Sequence, residues 1–330
     1  MYRKVCFRLI VVVSPSPYSS FVTPRSAAQV ITLVAFDMLS GLSILRPVSA
    51  GVALLLASTA TSAAPHFARE SNTSYSAIIA FGDSFTDNGS GAWVVSNQTW
   101  PANPNYSGGR FSNGPVWIEY VAGNLSVPLV DFALGGATSS NALVQGFTGP
   151  NSTIPVPSVD DQVASFLQPG SVPSNVSLAA PLFVLMGGAN DPLFNASVSA
   201  NQSFRALIAS TAQLAAAYPA AHFLFLDYPD LARIPMDFYV SGTTTKDALH
   251  AYSTDLAALF GGAFPTGTAG ATFVDLMPLF AEWEYYGAPG AFEFAPLGAY
   301  GSCLTGAYGE TANVTLCADA DDMVFWDEYQ

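Results

Sequence analysis

A chain of 330 residues, half of them hydrophobic and only 10% charged, has ample material for a large core and is excluded from charge-driven disorder. Acidic side chains outnumber basic ones 24 to 10, for a net charge of −14. No basic footprint exists for nucleic-acid phosphates or for an anionic membrane surface.

The first recognisable segment is Met38–Ala63, MLSGLSILRPVSAGVALLLASTATSA. Arg46 supplies a positive n-region, Val48–Ala57 an apolar core and Ser58–Ala63 a run of small residues. The pattern predicts a secretory signal peptide, with a core too short for a membrane span of about 20 residues. Signal peptides open chains, so Met38 is expected to be the true start and residues 1–37 an upstream extension. The competing stretch, VCFRLIVVV at 5–13, is interrupted by Arg8.

Cleavage near Ala64 leaves Arg69, Arg110, Arg205, Arg233 and Lys246 as the only cations, and Cys303 and Cys317 as the only cysteines. Two cysteines in an oxidising compartment most simply form one disulfide. Asn-x-Ser/Thr sequons occur at ten positions: Asn72, Asn88, Asn97, Asn105, Asn124, Asn151, Asn175, Asn195, Asn201 and Asn313. The expectation is a secreted, extracellular glycoprotein.

Along the mature chain, strand and helix patterns alternate. Ser76–Phe81 is a short apolar run closed by Gly-Asp-Ser, and Pro115–Leu125 has helical spacing. Leu129–Phe132 reads as a strand, Ser158–Leu167 as a helix with a polar start, and Pro181–Met186 as a buried strand ending in Gly-Gly. Asn201–Tyr218 is an Ala-rich helix closed by Pro219. His222–Leu226, Thr244–Phe260 and Ala271–Leu276 complete the series as strand, helix and strand. The stretches 96–114 and 145–157, rich in Pro, Gly and Asn, read as long loops. The alternation predicts one α/β domain over 64–330, with a parallel sheet of about five strands covered on both faces.

In such a sheet, function gathers beyond the C-terminal strand ends. The first strand is followed by Phe81-Gly82-Asp83-Ser84, the second by Gly135-Gly136-Ala137-Thr138, the third by Gly187-Gly188-Ala189-Asn190-Asp191. A serine at a strand end can project its hydroxyl into a cleft, a glycine N–H can approach a developing oxyanion closely, and an asparagine amide adds a further donor. These are the parts of acyl transfer, and their occurrence after successive strands outweighs the turn role each would have alone.

These blocks resemble those of the SGNH (GDSL-type) hydrolases, from about Ala77 to the end. The resemblance implies an α/β/α sandwich with a flavodoxin-like sheet, Ser84 as nucleophile, Gly136 and Asn190 as oxyanion donors, and no metal or organic cofactor. Gly109-Arg110-Phe111-Ser112-Asn113-Gly114 with Trp117 is similar to a stretch of the longer eukaryotic members. Phe325-Trp326-Asp327 fits the lead of the family's Asp-x-x-His signature, making Asp327 the residue that orients the base. The nearest subgroup is the fungal-type secreted acetylesterases of carbohydrate esterase family sixteen. A lipase or lysophospholipase, or a non-catalytic carbohydrate-binding relative, are the alternatives. The expected partner is a small-molecule or polysaccharide ester, met by a monomer with no membrane anchor.

The chain departs from the family at the last signature position, where Gln330 stands for the histidine. Gln and His codons differ only in the third base, and the expectation is a chain cut at this point. His66, His222 and His250 are poor replacements, since a base must come within hydrogen-bond reach of the serine.

Asp160 and Asp161, and Asp319, Asp321 and Asp322, lack EF-hand spacing and read as solvated acidic turns. Trp93, Trp100, Trp117 and the Tyr285-Tyr286 pair read as core aromatics.

Overall fold

The computed structural model describes residues 9–14, 30–35, 75–102, 104–240, 242–309 and 313–330. The expected signal peptide, Met38, His66 and the Asn72 sequon lie outside these residues. Leu9–Ser14 and Val30–Ala35 pair antiparallel.

The core is a five-stranded parallel sheet. Its strands are β1 (Ala77–Gly82), β2 (Leu129–Asp131), β3 (Pro181–Met186), β4 (His222–Leu226) and β5 (Ala271–Val274). They lie in the order β2-β1-β3-β4-β5. β1 and β3 are buried along their whole length, as continuous apolar runs in a sheet covered on both faces must be. The main helices are α1 (Trp117–Leu125), α2 (Val159–Phe166), α3 (Ala200–Ala217) and α4 (Thr243–Ala263). The expected α/β/α sandwich is thus present, with no element end shifted by more than three residues.

Local chemistry explains the helix ends. Ser199 and Gln202 form a capping box at the start of α3: Ser199 Oγ accepts from Gln202 N at 3.4 Å, and Gln202 Oε1 accepts from Ser199 N at 3.0 Å. Ser203, Leu207, Ser210 and Leu214, spaced three and four apart, form the buried face of α3. The acidic pair at 160–161 opens α2 instead of forming a turn, with Asp161 exposed to solvent as expected and Asp160 half-buried. Asp161 Oδ2 accepts from Ser158 N at 3.1 Å and Asn141 Nδ2 at 3.0 Å, and Asp160 Oδ2 accepts from Ser140 Oγ at 2.6 Å. The helix N-terminus favours these negative charges.

Aromatic side chains fill the space between sheet and helices. Phe166 packs edge-on to Phe81 and Phe183 at 5.6 and 5.4 Å. Burying each such ring stabilises the fold by about 1.5–3 kcal/mol.

Two further expectations are corrected. The stretch 145–157 contains an antiparallel pair, Gly146–Thr148 with Ile154–Val156, and is not all loop. Strands this short, bearing Gly and Pro, leave no period-2 signal. Trp100 is buried as expected, but Tyr285 and Tyr286 are 53% and 93% exposed.

Candidate active site

The parallel register brings the strand-end loops together. Gly82 pairs with Met186 across β1 and β3, and Ala80 with Asp131 across β1 and β2. The ladder continues past β2, with Phe132 N donating to Ala80 O at 2.8 Å and Leu134 N to Gly82 O at 3.0 Å. Ser84, Gly136 and Asn190 therefore leave one edge of the sheet, where the strand order changes direction.

Ser84 sits two residues past β1 and is buried. Gln162 fixes the strand exit: its Oε1 accepts from Gly82 N at 2.9 Å and its Nε2 donates to Gly82 O at 2.8 Å. Asp83 faces inward, accepting from Phe85 N at 3.1 Å and from Tyr228 OH at 2.7 Å. Burial pushes the Asp83 carboxyl up to about 7 despite these donors.

Gly136 lies in the turn after β2, with φ +88°. A Cβ here would stand 1.9 Å from the Phe147 carbonyl oxygen, so only glycine fits. Among the described residues, neither the Ser84 nor the Gly136 N–H meets an acceptor. Asn190 reaches the same place from β3, its Nδ2 donating to Ala137 O at 2.9 Å and, at the long limit of 3.4 Å, toward Asp83 Oδ2.

Asp327 arrives from the far end of the chain. Cys303 N donates to Phe325 O at 3.0 Å and Leu304 N to Trp326 O at 2.6 Å, docking the last segment on a hairpin closed by the Cys303–Cys317 disulfide. The carboxylate is fully buried; Oδ1 accepts from Tyr329 N and Gln330 N, both at 2.8 Å, and Oδ2 from Tyr106 OH at 2.8 Å and Tyr308 OH at 3.3 Å. Burial outweighs these donors and pushes the group up to about 7. Gln330 completes the arrangement, its side-chain amide 2.8 Å from Ser84 Oγ.

The described histidines stay away. His222 opens β4 at the opposite sheet edge and packs edge-on to Tyr75. His250 Nδ1 lies 2.7 Å from Asp230 Oδ2 on an exposed helix face. No group of three or more metal-ligating side chains occurs among the described residues.

The arrangement joins a buried serine, two unpaired amides and a carboxylate beyond an amide. The sequence profile of the GDSL-like Lipase/Acylhydrolase family matches residues 78–328. The chain belongs to this family. Similar relatives are a phosphatidylcholine-sterol acyltransferase of Aeromonas hydrophila, 31% identical over 51% of this chain and 49% of its own length, and an acetylesterase of Hypocrea jecorina, 29% identical over 38% of each. A thermolabile hemolysin of Vibrio parahaemolyticus is 37% identical over 34% of this chain and 25% of its own. The chain thus spans between a quarter and a half of the length of these curated relatives. A family two carbohydrate esterase structure from Clostridium thermocellum is 19% identical with a TM-score of 0.35, covering 61% of this chain and 54% of that one. The fold itself stands on the strand order and pairing above.

Several residues of this GDSL-type site escaped the sequence reading. Asp87, Tyr106, Tyr228 and Tyr308 all support it. Tyr228 follows β4, so the strand-end rule that found Ser84 and Asn190 applies to it too. Arg110, singled out in the sequence, is structural: its guanidinium pairs with Glu119 at 2.7 and 2.8 Å, and Glu119 Oε2 accepts from Val116 N at the start of α1.

Proposed function

We propose that this protein is a secreted serine ester hydrolase of the type that removes acetyl or other short acyl groups from carbohydrate, with Gln330 in place of the base in this chain. The observation that carries the reading is the line from Ser84 Oγ through the side chain of residue 330 to Asp327, beside the unpaired Ser84 and Gly136 amides. In this reading Ser84 Oγ adds to the ester carbonyl carbon, and the developing oxyanion is held by the two amides and by Asn190 Nδ2. Asp327 orients whatever group receives the serine proton. The likeness to an acetylesterase supports a short acyl group, and the likeness to acyltransferase and hemolysin relatives makes phospholipid the competing substrate.

An activated ester tests the nucleophile directly. After incubation with p-nitrophenyl acetate, peptide mass mapping is expected to find acetyl on Ser84 ahead of every other serine. Modification spread evenly over surface serines, with Ser84 untouched, overturns the assignment. Gln330 favours a second reading, a non-catalytic carbohydrate-binding relative, because an amide cannot serve as general base. That reading predicts affinity for an acetylated oligosaccharide with no acetyl-Ser84.

A further inference from the structure

Ser84 Oγ has one side-chain partner among the described residues, the amide of Gln330 at 2.8 Å. Oxygen and nitrogen of such an amide are assigned from what faces them. The amide atom on the far side lies 3.1 Å from both carboxylate oxygens of Asp327. An oxygen there would face both carboxylate oxygens with Tyr308 OH, at 3.3 Å, as its one donor, a hydroxyl equally 3.3 Å from Asp327 Oδ2; we therefore place Nε2 on that side, donating to Asp327, while Oε1 accepts from the Ser84 hydroxyl. Gln330 thus shows an acceptor to the serine and a donor to the aspartate. A neutral imidazole between a serine and an aspartate has the same polarity.

The backbone, not the amide, sets this position. Gln330 N donates to Asp327 Oδ1 at 2.8 Å, and Asp327 N donates to Gln330 O at 3.0 Å, closing residues 327–330 into one turn. A different side chain at 330 starts from the same place. Neither neighbouring acid substitutes as base: Asp83 is turned toward Tyr228 and Asn190, and Asp327 lies beyond the amide.

We propose that Gln330 holds the site arrested. It orients the Ser84 hydroxyl as a general base would but cannot take its proton, because an amide oxygen is far too weakly basic. Gln330→His alone converts the site into a working hydrolase. The proposal rests on the reading of Ser84 as nucleophile. In the converted site the Ser84 proton passes to the imidazole as Oγ bonds to the ester carbonyl carbon. The imidazolium returns that proton to the leaving alkoxide oxygen as the ester C–O bond breaks. Water then repeats the sequence on acyl-Ser84, releasing the carboxylic acid and restoring the hydroxyl.

The full chain is compared with Gln330→His, with Gln330→His/Ser84→Ala, and with Gln330→Ala in added imidazole, all on p-nitrophenyl acetate. Turnover and Ser84 acetylation are followed together. The unsubstituted chain is expected to acetylate Ser84 only slowly, its proton passing to solvent as p-nitrophenolate leaves unaided, and to turn over barely, since neither half-reaction has a base. Gln330→His raises turnover by about 10²–10⁴-fold, with an inflection in the pH profile at about 6–7, and the gain vanishes with Ser84→Ala. Should Gln330→His fail to fold, a saturable rise in Gln330→Ala turnover with imidazole supports the arrest equally. Acetylation at Ser84 without any gain from histidine or imidazole overturns the arrest and leaves the nucleophile standing. Equal Ser84-dependent turnover with Gln and His at 330 overturns it as well and requires another base. No acetyl-Ser84 in any variant removes the nucleophile assignment and the arrest with it.

Discussion

Asp87 Oδ2 accepts the Gly135 N–H at 2.9 Å, which ties the serine turn to the glycine turn. The same oxygen accepts from Ala92 N at 2.8 Å, and Oδ1 accepts from Gly89 N and Gly91 N, both at 3.0 Å. One fully buried carboxylate therefore satisfies four backbone donors. Asp87→Ala leaves all of them without a partner, each unsatisfied donor costing about 1–3 kcal/mol. Asp87→Ala is expected to lose at least about 3–5 kcal/mol in urea unfolding. A loss under about 1 kcal/mol would contradict the role of Asp87 in joining the two turns.

Gly136→Ala should be far worse than its chemistry implies. The added methyl would meet Phe147 O at 1.9 Å, on a backbone at φ +88°. Either the turn shifts or the chain strains, and the Gly136 amide leaves its place. In a Gln330→His background, turnover is expected to fall by about 10²–10³, the usual effect of one lost oxyanion donor. Gly123→Ala is the control, because nothing lies within 4 Å of its Cβ. On the exposed side of α1 it should stabilise by about 0.5–1 kcal/mol and leave turnover unchanged.

Stability should decline with rising pH. Burial pushes Asp83 and Asp327 up to about 7 and Asp131 and Asp227 up to about 8. A carboxyl raised in the folded state keeps its proton where the unfolded chain, at about 4, has lost its own. Its contribution is complete below about pH 4 and disappears as pH passes the folded values of 7–8. Thermal unfolding followed from pH 5 to pH 9 is expected to show a falling midpoint. Asp227→Asn should flatten the fall because its amide does not ionise. A midpoint that climbs toward pH 9 would contradict these shifts.

The Cys303–Cys317 bridge, fourteen positions apart, closes the hairpin that holds residues 325–327. A loop near this size contributes about 3 kcal/mol through the unfolded chain. Replacing both cysteines by serine should lower stability by about that amount. In a Gln330→His background activity should disappear at a lower temperature than the sheet unfolds, since the hairpin and Asp327 loosen first. Coincident loss of both would show that the segment has no separate stability.

Processing offers a check of a different kind. The exported protein is expected to begin near Ala64 and to carry N-linked glycan. Asn88 should stay bare: it lies four residues past Ser84, its Oδ1 accepts from Ser90 N at 3.1 Å, and its own N–H is held by Asp131 at 3.0 Å. Peptide mapping of secreted material decides each point. A glycosylated Asn88 would refute this reading of the turn.

Local pattern was enough for the sheet and for half of the site. Pro181–Met186 and His222–Leu226 are strands over the residues read from sequence, because short apolar runs bounded by glycine and polar turns have few other folds. Ser84, Gly136 and Asn190 were legible for the same reason: each lies within five residues of the end of a readable strand. The supporting residues were not. Tyr228 reaches Asp83 across 145 positions and Tyr106 reaches Asp327 across 221. A hydrogen bond between such distant positions imposes no period and no spacing on the chain. The amino-acid sequence by itself thus determined the strand order's raw material and the identity of the residue at 330. The resemblance put residue 330 at the base position, but only the tertiary structure decided the contacts that hold it there, Tyr106 and Tyr308 on Asp327 and the amide 2.8 Å from Ser84 Oγ, because these depend on a docked hairpin and a closed turn rather than on any local preference.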